Sequence, residues 1–504
     1  MTARPVDPDF LDLPRQALAD AALAAAVSAG ASYADLRIHR ITSEYIQLRD
    51  AELESAVESR EVGLAVRVIV NGTWGFASHA ELTADVAAET ARRAVSVATV
   101  LEPLNAEQVD LAAEPVYADA TWVSDYLIDP FEVPTPDKIT LLGEYAGRLL
   151  AADGVDHVSA GMNAVKEQTF YADTFGSSIT QQRVRVMPML EAVAVDAAAG
   201  SFESMGTLSP PYGRGWEVLA GDDVWNWSQE LAELPGLLTE KVKAPSVVAG
   251  PTDLVIDPSN LWLTIHESIG HATEYDRAIG YEAAYAGTSF ATPDKLGTMR
   301  YGSPVMHVTA DRTVPHGLAS IGYDDEGVQA QSWDLVRDGI FVGYQLDRVF
   351  APRLGQSRSN GCSYADSPHH VPIQRMANVS LQPAAEDIST QDLISRVSDG
   401  IFIVGDKSWS IDMQRYNFQF TGQRFYRIRD GRLDGQLRDV AYQATTTDFW
   451  NSMEAVGGPS TWVLGGAFNC GKAQPGQVAA VSHGCPSALF RGVNVLNTRI
   501  EGGH

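Results

Sequence analysis

One stretch of the chain, Leu261 to Asp276, constrains the fold most, because it gathers two imidazoles and several carboxylates in a segment that reads as a helix. Asp257 can cap the free N–H groups of such a helix, and Pro258 suits its first position, where no N–H is needed. An apolar face at helical spacing is formed by Leu261, Trp262 and Ile265. We therefore predict a partly buried helix that carries both histidines.

The spacing of these histidines, His266 and His271, differs from the H-E-x-x-H pattern of zinc-protease helices, in which they lie one turn apart. Here the pattern is H-E-x-x-x-H. In an α-helix, residues five apart diverge by roughly 140°, so they could not bind one ion. A π-bulge returns them to one face, and Gly270 makes such local rewinding easier. The sequence therefore predicts a helix irregularity at Ser268 to His271.

The same histidines also fit a second interpretation, in which they are ordinary hydrogen-bonded side chains on a half-buried helix. The adjacent Glu267 favours a metal site, and two histidines then need a third ligand, with one position left open for water. Glu274 and Asp276 either ligate the metal, orient a ligand histidine or are solvated charges, and the orienting role is slightly favoured for Glu274. Cys470, in a glycine-flanked turn between strands, is the thiol candidate, and a buried spare thiol is the alternative there.

Composition limits the class of protein. A chain of 504 residues is long enough for two or more domains. Its net charge of −27, from 64 acidic and 37 basic residues, argues against nucleic acid and anionic membranes as partners. Three cysteines are too few for a disulfide framework, and we find neither a membrane-spanning apolar run nor a signal-peptide pattern. We predict a cytoplasmic protein with free thiols.

Hydrophobic periodicity predicts an α+β fold. In the first half, a helix followed by antiparallel strands occurs twice, which indicates either two related halves or one large sheet with helices on one face. The second half reads mainly as antiparallel β structure, a barrel or sandwich, with helix only near Gln391 to Ser398 and Thr446 to Val456. We predict an N-terminal α+β domain of residues 1 to 245 and a β-rich domain of residues 246 to 504, with the histidine helix where they meet.

A series of motifs runs through the chain in a fixed order. They are HESIGHATEYD from His266, GTSF at Gly287 to Phe290, DDEGVQAQ at Asp324 to Gln331, PIQRMANV at Pro372 to Val379, and CGKAQPGQ from Cys470, followed by the GxP of Gly484 to Pro486. Together with ASYADLRIHR near the N-terminus, they resemble the TldD/PmbA family of metallopeptidases over nearly the whole chain. That family divides into TldD-type subunits, which carry H-E-x-x-x-H, and PmbA (TldE)-type partners that lack it. The chain resembles the former.

The resemblance implies that His266, His271 and Cys470 bind Zn²⁺, and that Glu267 acts as base and acid in hydrolysis. It also implies an α+β N-terminal domain and a β-rich C-terminal domain. The implied assembly is a dimer enclosing a chamber for unfolded or short peptides, either a homodimer or a heterodimer with a PmbA/TldE-type subunit. The implied activity is peptide-bond hydrolysis in proteolysis or peptide maturation.

Two departures from the family pattern bear on the substrate. Cys362 stands where relatives tend to have a basic residue, and Cys485 occupies the middle of the GxP motif. They motivate one alternative, a specialised amide hydrolase acting on a small molecule or modified peptide in secondary metabolism. A second alternative is a non-catalytic partner subunit that keeps the motif as a relic. Candidate substrate or oxyanion groups are Tyr281, Tyr285, His369, His370 and His483.

Overall fold

The computed structural model describes residues 4 to 196 and 200 to 501, which fold as a mixed α+β protein built mostly of antiparallel sheets. Up to residue 245, the strands are β1 Tyr33–Arg49, β2 Glu52–Val70, β3 Thr73–His79, β4 Ala120–Val123, β5 His157–Asp173, β6 Ser178–Asp196 and β7 Ser201–Gly206. The helices of this region are α1 Pro8–Leu11, α2 Arg15–Ser28, α3 Ala84–Leu101, α4 Thr135–Leu150 and α5 Trp227–Lys243.

The second half contains many shorter strands. They are β8 Gly250–Ile256, β9 Val308–Asp311, β10 Ser332–Arg337, β11 Ile340–Phe341, β12 Ser363–Tyr364, β13 Ile373–Gln374, β14 Asn378–Leu381, β15 Asp399–Ile411, β16 Asn417–Arg429, β17 Arg432–Leu437, β18 Val440–Thr445, β19 Met453–Val456, β20 Val463–Lys472, β21 Gln477–Cys485 and β22 Ala488–Asn497. The helices are α6 Pro258–Ile265, α7 Tyr275–Ala278, α8 Phe350–Arg353, α9 Thr390–Ser395, α10 Thr446–Asn451 and α11 Thr498–Glu501.

The N-terminal strands form one sheet in the order β3-β2-β1-β5-β6-β4, with β7 beside β6. Strands β4 and β6 are parallel, and the other neighbours are antiparallel. The long hairpins β1–β2 and β5–β6 meet side by side through β1 and β5. The first half is therefore a single large sheet, the second of the two arrangements that the periodicity allowed.

The two faces of this sheet differ in polarity. Toward both ends of β1 and β5, even-numbered positions are apolar and pack under the helices: Leu36 contributes to a cluster with α2 and α3, and Leu48 to a cluster with α4 and α5. Odd-numbered positions carry buried charges that meet the second half of the chain. Arg37 donates to Asp325 at 2.7 Å, and Arg67 binds Glu326 at 3.0 Å. Helices thus cover one face, and ion pairs attach the other face to the C-terminal region.

The C-terminal region contains a closed five-stranded barrel. Its strands follow the order β15-β8-β22-β18-β16, and β16 pairs back onto β15. Of these neighbours β8 and β15 are parallel and the rest are antiparallel. Aromatic rings fill part of its core, including Phe449 stacked on Phe490 with ring centres 4.2 Å apart. Of the predicted barrel or sandwich, the barrel is the form observed.

Helix α6 follows barrel strand β8 and packs against β15 and the separate β20–β21 hairpin. The predicted helix at Thr446 to Val456 is partly wrong, because α10 ends at Asn451 and Met453–Val456 is strand β19. The division at residue 245 stays a prediction. Among the described residues, no helix combines the length and apolar character needed to cross a bilayer.

Candidate metal centre

The histidine stretch leaves regular α-helical geometry at the predicted place. Asp257 caps α6 by accepting the Ser259 N–H at 3.0 Å, and α6 ends at Ile265. A π-helical turn, His266–Gly270, follows, and a 3₁₀ turn begins at His271. The predicted irregularity is therefore confirmed, although the π turn starts two residues earlier than expected. Its wider winding brings the two imidazoles together, with ring centres 4.7 Å apart.

Side chains from elsewhere stabilise this π turn. Tyr301 donates its hydroxyl to the Ser268 carbonyl, and Gln345 Nε2 donates to the Gly270 carbonyl at 2.8 Å. These donors satisfy main-chain acceptors of the irregular segment, whose burial would otherwise be costly. A Cβ on Gly270 would lie 2.5 Å from Met376 Sδ. Any residue other than glycine at this position would therefore have to displace the Met376 side chain.

The structure brings His266, His271 and Cys470 together. One donor atom from each lies within 4.8 Å of the others, and Cys470 Sγ is 3.4 Å from His271 Nε2. All three side chains are about 95% buried. Cys470 lies on strand β20, next to a register shift, so its predicted place in a turn is wrong. Two imidazoles and a thiolate at this spacing suit a small tetrahedral ion, whose ligand atoms would lie about 3.5 Å apart.

Hydrogen bonds fix which imidazole nitrogens are free. His483 Nδ1 lies 2.8 Å from the Val379 carbonyl, which only accepts, so Nδ1 carries the proton and Nε2 is an acceptor. His266 Nδ1, 2.7 Å from that Nε2, must then donate. His271 Nδ1 donates to Glu274 Oε2 at 2.8 Å. The Nε2 lone pairs of His266 and His271 are therefore free for a cation, the arrangement common among metal-binding histidines.

Protonation states at the three donors also favour a cation. Burial lowers the pKa of His266, which keeps its ring neutral. For Cys470, burial raises the pKa of the thiol, but His271 and Arg375 act against burial and the pKa is lowered overall. A neutral imidazole and an easily ionised thiol are the forms that bind metals.

A buried ion-pair layer lies behind His271. Lys472 Nζ is 3.1 Å from Glu274 Oε1 and 2.8 Å from Asp276 Oδ1. Burial raises the pKa of Glu274, but Lys472 and His271 outweigh burial and hold that pKa well below its ordinary value. Glu274 therefore stays ionised and orients His271, while Asp276 contacts Lys472 rather than a donor atom of the cluster.

Glu267 lies beside the cluster and makes a 2.6 Å hydrogen bond with Arg415 Nη1. Burial raises the pKa of Glu267, yet His266, His271 and Arg415 together lower it overall. The carboxylate is therefore ionised and oriented, as a general base requires. Sequence reasoning missed Arg415, which sits in a left-handed turn at φ 62° with no motif around it.

The role of Lys472 was also missed in the sequence, although its position relative to Cys470 could have indicated it. It lies two residues after Cys470 on β20, and alternate residues of a strand share a face. A charged residue at that position, next to the thiol candidate, predicts a partner for the acidic residues that follow His271.

The other predicted candidates lie in different surroundings. His483 joins the centre as the partner of His266, whereas Tyr281 is 56% exposed and its hydroxyl accepts from Arg353. Tyr285, His369 and His370 are outside the cluster: Tyr285 is exposed, His369 is near Glu61, and His370 is near Asp366. Cys362 and Cys485 are free thiols with no exposed surface. Roles for Tyr281 and Tyr285 in substrate binding stay predictions.

Comparison with known proteins places this chain in a class. The profile described as the PmbA/TldA metallopeptidase C-terminal domain matches residues 249 to 497, and the profile for domain 1 matches residues 34 to 98. A metalloprotease from Methanothermobacter thermautotrophicus is 29% identical, covering 92% of this chain and 96% of the relative. A protein named zinc metalloprotease TldD homolog from Saccharolobus solfataricus is 23% identical, covering 92% and 97%.

A solved structure agrees with the fold. The crystal structure of TldE from Thermococcus kodakarensis has a TM-score of 0.69 at 15% identity, and the match covers 95% of this chain and 99% of that one. The family profiles, and relatives that match along nearly the whole chain, define a metallopeptidase, a hydrolase. Within that class, the chain belongs to the PmbA/TldD family.

Proposed function

We propose that this protein is a zinc-dependent peptidase that hydrolyses unfolded or short peptides. The observation that supports the proposal most is the convergence of three buried donors, His266 Nε2, His271 Nε2 and Cys470 Sγ, with an ionised Glu267 beside them. These three side chains would hold the zinc, and the thiolate and imidazole set suits that metal. Zinc bound there supplies Lewis acidity.

The chain's own residues would move the protons. Glu267 would accept a proton from the attacking water and return it to the leaving amine, which is general base and then general acid catalysis. Arg415, at 2.6 Å, would keep that carboxylate oriented and ionised between turnovers. His483 and Glu274 would hold the two imidazoles in the tautomer that leaves both Nε2 atoms free.

The choice of substrate rests partly on the two unusual cysteines. Cys362 and Cys485 motivated the alternative of a specialised amide hydrolase, but both are fully buried, so neither reshapes an exposed substrate surface. The peptide substrate is therefore the proposal that we favour. A non-catalytic role is disfavoured by the ionised Glu267, which lies next to the metal-type donors as a general base would.

A substrate profile combined with one substitution tests this proposal. Purified protein should contain stoichiometric zinc and cleave unfolded casein or short peptides more readily than small amides. Glu267→Gln should lower peptide hydrolysis by about 10²- to 10⁴-fold, because proton transfer is lost, while the folded protein keeps its zinc content. Glu58→Gln, at an exposed site on β2, is the control and should match the parent. Retained activity in Glu267→Gln, or protein without bound metal, would contradict the proposal.

Assembly is the second part of the proposal. The resemblance to TldD-type subunits implies a dimer with a chamber, and the TldE structure offers the fold of a candidate partner. Light scattering should give twice the 54.4 kDa mass of one chain for a homodimer. If the chain alone is monomeric or weakly active, mixing it with a TldE-type subunit should raise activity. A cytoplasmic location stays a prediction, which cell fractionation would test.

A further inference from the structure

A cavity lies between the two halves of the chain, outside the metal centre. Its volume is about 490 Å³, within the range of small-molecule sites. Trp74 and Phe76 of β3, Val97 of α3 and Phe350 of α8 line its walls. A cavity with such walls suits a ligand with a large apolar or aromatic body.

Carboxylates also line this cavity, and most of them are already paired. Arg67 binds Glu326 at 3.0 Å, and Arg353 lies near Glu107 at 2.6 Å. Asp276 is held by Lys472, in the layer that separates the cavity from the metal centre. Asp347 is the exception, because it has no cationic partner among the described residues.

Asp347 is 94% buried and has one unused oxygen. Its Oδ1 accepts the N–H groups of Val349 and Phe350 at 3.0 and 2.9 Å. Its Oδ2 accepts no hydrogen bond from any described residue, although the side chain lines the cavity. A carboxylate on a side chain with this little exposure is costly without a cationic partner, and a cation in the cavity would satisfy it.

The electrostatic setting of Asp347 agrees with a missing cation. Burial raises the pKa of this carboxyl well above its ordinary value, and the nearby Glu326 and Asp276 raise it further. A cation beside Oδ2 would oppose all three influences.

We propose that this cavity binds a primary ammonium compound with a large apolar side chain, its ammonium group on Asp347 Oδ2. Two sources share this chemistry, namely a free amino acid amide and the amino-terminal residue of a peptide. A free amino acid is disfavoured, because its carboxylate would face an acidic wall. The site goes beyond the proposed peptidase activity, and binding there requires no turnover.

Calorimetric titration of the full-length protein tests the site with L-phenylalaninamide as the probe. The matched ligand is 3-phenylpropanamide, which is the same molecule without the amino group. We expect the amine to bind at least tenfold more tightly than the neutral amide, and L-phenylalanine to bind at least tenfold more weakly than its amide. Equal affinities of the charged and neutral amides, or no binding of the charged one, would overturn the proposal.

Two substitutions locate the binding. Asp347→Asn keeps an acceptor for the two N–H groups but removes the charge, so the tenfold preference for the amine should disappear. Val97→Trp fills the cavity without touching a carboxylate and should abolish binding of both amides. Asp173→Asn is the control, because Asp173 is equally buried and accepts N–H groups of the following turn but lies outside the lining. Undiminished binding in Val97→Trp would place the ligand elsewhere and reject the cavity.

Titration with a peptide distinguishes the two candidate ligands, a free amino acid amide and a peptide amino terminus. The tripeptide Phe-Ala-Ala should bind as tightly as L-phenylalaninamide if peptide amino termini occupy the cavity, and its acetylated form should bind at least tenfold more weakly. If the free amide binds with its charge preference and the peptide does not, a small amine is the occupant. Either result leaves the peptidase proposal to its own assay, since the peptide titrations use the Glu267→Gln variant and therefore measure binding without turnover.

Discussion

The metal centre and the polar face of the N-terminal sheet both bury many ionisable groups, but they pair them differently. At the sheet face, opposite charges meet directly: Arg67 binds Asp35 at 2.8 Å and Glu326 at 3.0 Å, and Glu167 receives Arg185 at 2.6 Å. At the metal centre, each histidine makes its hydrogen bond on the outer side, away from the other donors. The inner Nε2 atoms and the Cys470 sulfur face one another, with Cys470 Sγ 3.4 Å from His271 Nε2.

This difference distinguishes buried polar groups that stabilise the fold from buried polar groups that can bind a ligand. Charges that cancel one another hold two parts of a fold in register and leave nothing for a ligand. Imidazole nitrogens whose protons are fixed on the outside, together with an ionised thiol, leave an electron-rich space that is unfavourable unless a cation enters it. The arrangement of leftover lone pairs, rather than burial or charge alone, therefore marks the reactive site.

The largest expected effect is on metal affinity, and it follows from removing the Cys470 thiolate. Cys470→Ser should weaken zinc binding by more than about 100-fold, since even loss of an outer partner of a ligand typically costs about 10- to 100-fold. The measurement is zinc affinity by competition with a chelator. Cys362→Ser is the matched control, because Cys362 is also buried but burial raises its pKa to about 12, which keeps it a thiol. Parent-like affinity in Cys470→Ser would show that the sulfur is not a ligand.

Removing a cation from the sheet face should affect stability and leave metal binding intact. Arg67→Met leaves Asp35 and Glu326 buried without their partner, so we expect a loss of about 3 to 5 kcal/mol in the free energy of unfolding. Urea denaturation measures this loss. Arg337→Met, which removes an exposed partner of Asp334, should cost less than about 1 kcal/mol. Equal losses in the two variants would mean that the buried pairs contribute no more than surface pairs.

The π turn should tolerate an added methyl group poorly. In Gly270→Ala the new Cβ would lie 2.5 Å from Met376 Sδ, and overpacking of this kind typically costs about 1 to 3 kcal/mol. Thermal unfolding and zinc affinity should both decline. Gly147→Ala in helix α4, where nothing lies within 4 Å of the added atom, should instead stabilise by about 0.5 to 1 kcal/mol. A neutral Gly270→Ala would show that the irregular turn does not depend on the glycine.

The stability of the folded state should depend on pH through Asp324, which lies near Glu326, the partner of Arg67 on the sheet. Burial and then Glu326 raise its pKa from 3.8 to about 7. The folded state therefore keeps this proton in a window where the unfolded chain has lost it, so its stabilising contribution is complete below pH 3.8 and declines as pH rises toward 7. The melting temperature of Asp324→Asn should decline less steeply with rising pH than that of the parent. An equal decline in both proteins from pH 4 to 8 would contradict the assignment.

Parts of this molecule could be predicted from sequence because the signals were local. The five-residue spacing of the histidines, together with Gly270, predicted a departure from α-helical winding, and the structure has a π turn there. The Asp257 cap was equally readable. In both cases, residues a few positions apart determine the geometry.

Other parts could not be predicted from local pattern. Cys470 lies 199 positions from His271, and only the family resemblance connected them. Strand β5 continues through Lys166 and Glu167, which look like a break between strands. Those charges are buried against another part of the fold, Glu167 beside Arg185, and alternation alone cannot show a polar face that is covered. Arg415 reaches Glu267 from a turn with no sequence signal.

The ring of barrel strands has a consequence for synthesis. Strand β8, at Gly250–Ile256, needs both β15 and β22 as neighbours, and β22 does not begin until Ala488. A ribosome-bound chain therefore carries the histidine helix for more than two hundred residues before its supporting ring can close. The N-terminal sheet, by contrast, has all its strands by Gly206. We expect stalled nascent chains to gain protease resistance in two steps, the later one only after β22 emerges.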